Sequence, residues 1–135
     1  MSANADRLRQ LFIDLDRLDF AAVAGHCAND CVYDDVPYPE ATAIGPDAIR
    51  AKLALGLGTL ERIPTTIHEL VEAGDTILVE RTEVWHHPTG ERATLRVAAV
   101  FKFQDGKLTL WRDYWDAKTL FAQQPATWLP DLPRP

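Results

Sequence analysis

Between residues 63 and 116 the chain repeats one pattern, runs of alternating apolar and polar residues cut by short turns. Ile63 to Ala73, Thr76 to His86, Glu91 to Phe103 and Lys107 to Asp116 are separated by Gly74-Asp75, Pro88-Thr89-Gly90 and Asp105-Gly106. A side-chain period of two marks strands, and turns this short join antiparallel neighbours, so the segment reads as a four-stranded meander. The clearest of these strands puts Ala93, Leu95, Val97, Ala99, Phe101 and Phe103 on one face, with Thr94, Arg96 and Lys102 on the other. One side of the sheet therefore needs a cover, and the preceding residues supply it. Leu8, Leu11, Phe12, Leu15 and Leu18 have helical spacing between about Asp6 and Leu18; Asp19 caps a second helix over Phe20 to His26; Gly45-Pro46-Asp47 opens a third, ending near Gly56 or Gly58. A short strand, Cys31 to Asp35, lies between the second and third helices, and Pro37 and Pro39 stop it and force an extended loop.

Helices first and a curved antiparallel sheet afterwards is an α+β plan, with about three N-terminal helices packed on a cone-shaped sheet open at one end. At 135 residues the chain is expected to be a single domain, with 1–5 and the proline-rich 126–135 as peripheral tails. With 47% hydrophobic and 25% charged residues it has the make-up of a soluble globular protein. A net charge of −6 argues against nucleic acid or an anionic membrane as partner, because both attract basic surfaces. The first residues lack a signal-peptide pattern and no apolar run is long enough to span a bilayer, so a cytoplasmic location is expected. No metal site is expected either. Cys27 and Cys31 have no second cysteine pair to complete a zinc site and read as small core residues, and His86-His87 reads as a solvated hairpin end.

Chemistry enters through charges on the apolar faces. On Thr76 to His86, Ile77, Val79, Arg81, Glu83 and Trp85 share a face; on the last strand, so do Trp111, Asp113 and Trp115; on the first, Tyr33 and Asp35. Each group singly has a bland reading, as an exposed ion pair, a core aromatic or a turn cap. Scattered surface charge does not place polar groups on a largely apolar face of three separate strands. One apolar cavity holding Tyr33, Asp35, Arg81, Glu83 and Asp113, partly closed by Trp85, Trp111 and Trp115, accounts for all three. Burial disfavours ionised carboxylates while Arg81 favours them, so one proton shared between two carboxyls is expected near neutral pH. Such a pair suits general acid/base work on a neutral substrate: one carboxylate takes a proton from water, and its protonated partner donates to a leaving oxygen. An epoxide, a strained ether opened from both sides at once, uses the arrangement fully.

These residues also carry a family likeness. From about Asp30 to Pro130 the chain resembles the limonene epoxide hydrolases of the nuclear transport factor 2-like (SnoaL-like) superfamily. The likeness lies in Tyr33-Asp34-Asp35-Val36-Pro37-Tyr38-Pro39, Gly45-Pro46-Asp47-Ala48-Ile49, Val79-Glu80-Arg81-Thr82-Glu83-Val84, Pro88-Thr89-Gly90 and Trp111-Arg112-Asp113-Tyr114-Trp115-Asp116. The resemblance implies that Asp113 activates water, the acid two residues after Arg81 protonates the epoxide oxygen, Arg81 bridges them, and Tyr33 and residue 35 hold the water. It implies a cofactor-free, one-step addition in a homodimer. Two departures stand out: Glu83 occupies a position where the family usually has Asp, and Asp35 one where it usually has Asn. A carboxylate beside Asp113 leaves either of the two as the base. Val79, Trp85, Leu95, Val97 and Trp111 are the expected substrate lining, which points to a small hydrophobic epoxide. Two other readings use the same cone: a ketosteroid isomerase-like or epoxide-cyclising enzyme, with Asp35 shuttling a proton in the isomerase case, and a non-catalytic small-ligand-binding dimer module.

Overall fold

A computed structural model describes residues 2–135. In chain order the elements are α1 (Ala3–Asp16), α2 (Phe20–Gly25), β1 (Cys27–Asp35), a 3-10 turn (Pro39–Ala41), β2 (Ala43–Ile44), α3 (Pro46–Leu57), β3 (Thr65–Ala73), β4 (Thr76–His86), β5 (Arg92–Gln104), β6 (Lys107–Tyr114) and α4 (Ala117–Gln123). One six-stranded sheet has the order β2-β1-β6-β5-β4-β3. The meander is as expected from the turns. Asp105 and Gly106 both hold positive φ, +50° and +78°, which a two-residue hairpin with the right-handed strand twist requires. Side chains facing the helices are buried along β4 and β5, from Ile77 to Trp85 and from Ala93 to Phe103, and they form one core with Leu8, Leu11, Phe12, Leu15, Ile49 and Leu53.

The sheet is mixed, not wholly antiparallel: β1 runs parallel to β6, pairing Tyr33 with Trp111 and Asp35 with Asp113. Strand β1 begins at Cys27, four residues before the expected start, and passes through a register shift between Cys27 and Val32; both cysteines are buried. The proline-bounded loop after β1 tightens into the 3-10 turn rather than staying extended. Residues near both ends are tied to the fold. The Ser2 side chain accepts from Ala5 N at 3.0 Å, so α1 starts at Ala3 and buries Ala5. In the C-terminal segment Trp128 is buried and its indole N–H donates to Gly56 O at 2.8 Å. Helix α4 was not anticipated. Asp116 caps it, accepting from Thr119 N at 2.8 Å, and it lays Leu120 and Phe121 against the core. That cover also corrects the reading of the histidine pair: His87 is buried, with Nε2 at 2.6 Å from Gln124 Oε1 just past α4.

Candidate active site

Within the cone, strand register brings the charged residues together. Ala99 of β5 stands between Val79 on β4 and Asp113 on β6, and Val97 stands beside Arg81. Arg81 and Asp113 are therefore two strands apart, roughly 10 Å of sheet. Only a long side chain spans that gap, and Arg81 reaches past β5 to do so. Its guanidinium donates to Asp113 through Nη1 (3.1 Å to Oδ1) and Nη2 (3.0 Å to Oδ2), a two-pronged contact. The same Nη2 donates to Glu83 Oε2 at 2.9 Å, with Nε at 3.3 Å. Phe12 of α1 supports the cation from the helix side, its ring centroid 5.0 Å from the guanidinium carbon. Arg81 is 0% exposed and both carboxyl groups are buried.

A cavity of about 650 Å³ opens over this group. Its walls include Tyr33, Asp35, Glu83, Trp85, Leu95, Val97, Asp113 and Trp115 from the sheet side, and Leu53, Leu120, Phe121 and Trp128 from the helices and C-terminal segment. Seven of the ten expected site residues thus share one space. Three do not touch it. Arg81 lies behind its two carboxyls, Val79 lies deeper in the core, and Trp111 is covered by Tyr33, which stacks on it at 3.9 Å between ring centroids and 7° between planes. Val79 and Trp111 therefore support the wall instead of lining it. Trp115 lies one residue past the end of β6 and still faces inward, donating through Nε1 to Asp35 Oδ1 at 2.9 Å. Trp85 does the same for Glu83, 3.1 Å from Nε1 to Oε1, so the two carboxyls nearest Asp113 are each held by an indole.

Lys52 was missed. Its Nζ is 2.9 Å from Asp35 Oδ2. The signal was its place in α3, three residues after buried Ile49 and one before buried Leu53, on the face turned to the sheet.

Burial governs the ionisation. It pushes the Asp113 carboxyl up to about 6 against the pull of Arg81, with Asp35 and Glu83 adding to the rise. Burial likewise holds the Tyr33 phenol well above its usual range, reinforced by Asp35, Asp113 and Glu83, so it remains a protonated hydroxyl. For Arg81 burial opposes the charge, but Asp113 and Glu83 outweigh it and the guanidinium is held more firmly protonated than usual. The arrangement has a fixed cation, two carboxyls around it and a carboxylate-bearing apolar wall. Among the described residues no group of three or more His, Cys, Asp and Glu side chains forms a place for a metal ion, and no helix is long and apolar enough to cross a membrane.

Comparison with known proteins agrees with this picture. The family model of the SnoaL-like domain matches residues 8–111. Epoxide hydrolase EphG of Mycobacterium tuberculosis (strain ATCC 25618 / H37Rv) is 31% identical over 108 residues, covering 79% of this chain and 69% of that protein. A solved LEH-like epoxide hydrolase from M. tuberculosis superposes with a TM-score of 0.76 at 26% identity, over 90% of this chain and 84% of that one. A candidate SnoaL-like polyketide cyclase from Shewanella denitrificans OS-217 shares the fold, with a TM-score of 0.81 at 16% identity over 91% of this chain and 97% of its own. With the family's model matched over most of the chain, this protein belongs to the SnoaL-like domain family, with epoxide hydrolases among its relatives.

Proposed function

We propose that the protein hydrolyses a hydrophobic epoxide to a vicinal diol by adding water in one step, without a cofactor. The observation that carries this reading is Arg81: a wholly buried guanidinium hydrogen-bonded at once to two carboxyls that face the same apolar cavity. Asp113 removes a proton from water as the oxygen attacks one epoxide carbon. The C–O bond on that carbon breaks, and Glu83 gives its proton to the departing oxygen. Turnover ends with the proton on Asp113 and none on Glu83, and exchange between them resets the pair. Arg81 keeps its charge throughout and holds both carboxyls in place. Tyr33 and Asp35 hold the water, and Trp85 orients Glu83 through its indole hydrogen bond. Glu83 reaches back along the same strand face to Arg81, two residues away.

A substrate hydroxyl in place of water would close a ring with the same groups; labelled solvent separates the two, since only hydrolysis brings solvent oxygen into product. A cavity of about 650 Å³ with aromatic and aliphatic walls favours cyclic or aryl-substituted oxides over small polar ones. The test is turnover of a panel of such epoxides by the native chain, Glu83→Gln and Asp113→Asn. The reading predicts diol from the native chain and near-complete loss in both variants with circular dichroism unchanged; retained turnover in both refutes the division of labour. The homodimer belongs to the same proposal. Val71 and Leu78, paired across β3 and β4 and both exposed, form an apolar strip on the side of the sheet away from the helices, suited to a second copy. Leu78→Glu should then halve the mass seen in sedimentation.

A further inference from the structure

We propose that Lys52 is a positioning residue of this site, holding Asp35 as a charge-compensated acceptor for the attacking water and setting the pH at which Asp113 is free to serve as base. The proposal rests on the hydrolytic reading above. A lysine on a helix ordinarily keeps its ammonium in solvent. This one turns inward, with a side chain 14% exposed. Its Nζ lies 4.0 Å from the centroid of the Tyr33 ring, donates to Tyr33 O at 3.4 Å and is 2.9 Å from Asp35 Oδ2. Asp35 Oδ1 takes the Trp115 indole N–H. Both oxygens are thus anchored by donors, and each keeps a lone pair for a water. Asp35 is the register partner of Asp113 on the neighbouring strand, so a water held by one carboxylate is within reach of the other.

Charge counting gives Lys52 its role. Arg81 with Glu83 and Asp113 sharing one proton is neutral. An uncompensated Asp35 would add a negative charge beside Asp113, and that base would keep its proton to higher pH. Lys52 restores neutrality. The groups that bear on Asp113 are Arg81 and Glu83 from β4, Tyr33 and Asp35 from β1, and Lys52 from α3 by way of Asp35. Strand β5 presents only apolar groups, Leu95, Val97 and Ala99, and α1 and α4 present Leu15, Leu120 and Phe121. Glu40 and Asp131 also line the cavity.

The experiment is the carboxyl titration of Asp113 in substrate-free protein carrying 13C-labelled aspartate, its resonance assigned by its loss in Asp113→Asn. Lys52→Met should raise the midpoint by about half a pH unit or more, and Lys52→Arg should return it towards the native value. Asp35→Asn should lower it, and with Asn at position 35 the Lys52→Met change should no longer move it. With an epoxide that turns over, the acid limb of kcat/KM should move in step. If Lys52→Met does not fold, Lys52→Gln and Asp35→Asn decide the question. An Asp113 midpoint unmoved by loss of the Lys52 charge overturns the proposal. Because the titration needs no substrate, failure of every epoxide to react strikes the proposed function and is not confused with a failure of the Lys52 coupling.

Discussion

Arg112 and Asp113 are consecutive residues of β6, and each meets a partner of opposite charge at 3.0 Å, yet the two ion pairs have little in common. Arg112 Nε bonds Asp34 Oδ2 on the side of the sheet away from the helices, with side chains 38% and 22% exposed. Asp113 meets Arg81 on the covered side, where the corresponding values are 5% and 0%. Distance therefore says little about what a pair does. Outside, water screens the charges and the pair contributes about 0–1 kcal/mol. Inside, the charges have lost their hydration, and each holds the other's protonation state in place. Strand alternation separates the two environments by a single residue. A pair worth little to stability stands back to back with the one proposed to move protons.

The contrast can be broken most strongly at the carboxyls. Glu83→Gln and Asp113→Asn should each cut kcat/KM by on the order of 10²–10⁴, the usual worth of a positioned acid or base, measured as initial rates of diol formation. Next is Arg81→Met, which leaves two buried carboxyls without their cation. A loss of about 3–5 kcal/mol is expected by denaturant melts at pH 7, shrinking as the pH is lowered and the orphaned carboxyls take up protons. The pH profile gives a finer test. Because the Asp113 carboxyl sits near 6, kcat/KM should rise as the pH rises through that value. Stability moves the other way. The folded protein holds this proton more tightly than the unfolded chain, so the contribution of Asp113 is full below about 4 and is lost as the pH climbs through 6. The smallest effect belongs to the outer pair: Arg112→Ala should change stability by less than about 1 kcal/mol and leave kcat/KM near native.

Local signals made most of this legible from the chain. Turn residues and period-two alternation marked β4, β5 and β6 within a residue or two, and the same alternation put Arg81, Glu83 and Asp113 on a common face. What the chain hid was long-range or small. The parallel pairing of β1 with β6 joins residues about eighty positions apart and leaves no periodic trace, yet it is what sets Asp35 against Asp113. Lys52 carries only a weak signal in the chain, because helical spacing assigns a face and not the direction a flexible side chain takes. Helix α4 is seven residues long, too short for a clear period, although Asp116 ahead of Leu120 and Phe121 was a capping signal. Trp111 and Val79 were placed on the correct face but one layer too far forward, since alternation does not report depth.

Direct attack by water under the control of two carboxyls is the central claim, and a single turnover in 18O-labelled water, with enzyme in excess over an epoxide that reacts, addresses it directly. The account predicts one labelled oxygen in the first diol released and no label in the carboxyls of Asp113, Glu83 or Asp35. Unlabelled diol together with labelled protein would mean that a carboxylate attacked the epoxide to form an ester, and would contradict it.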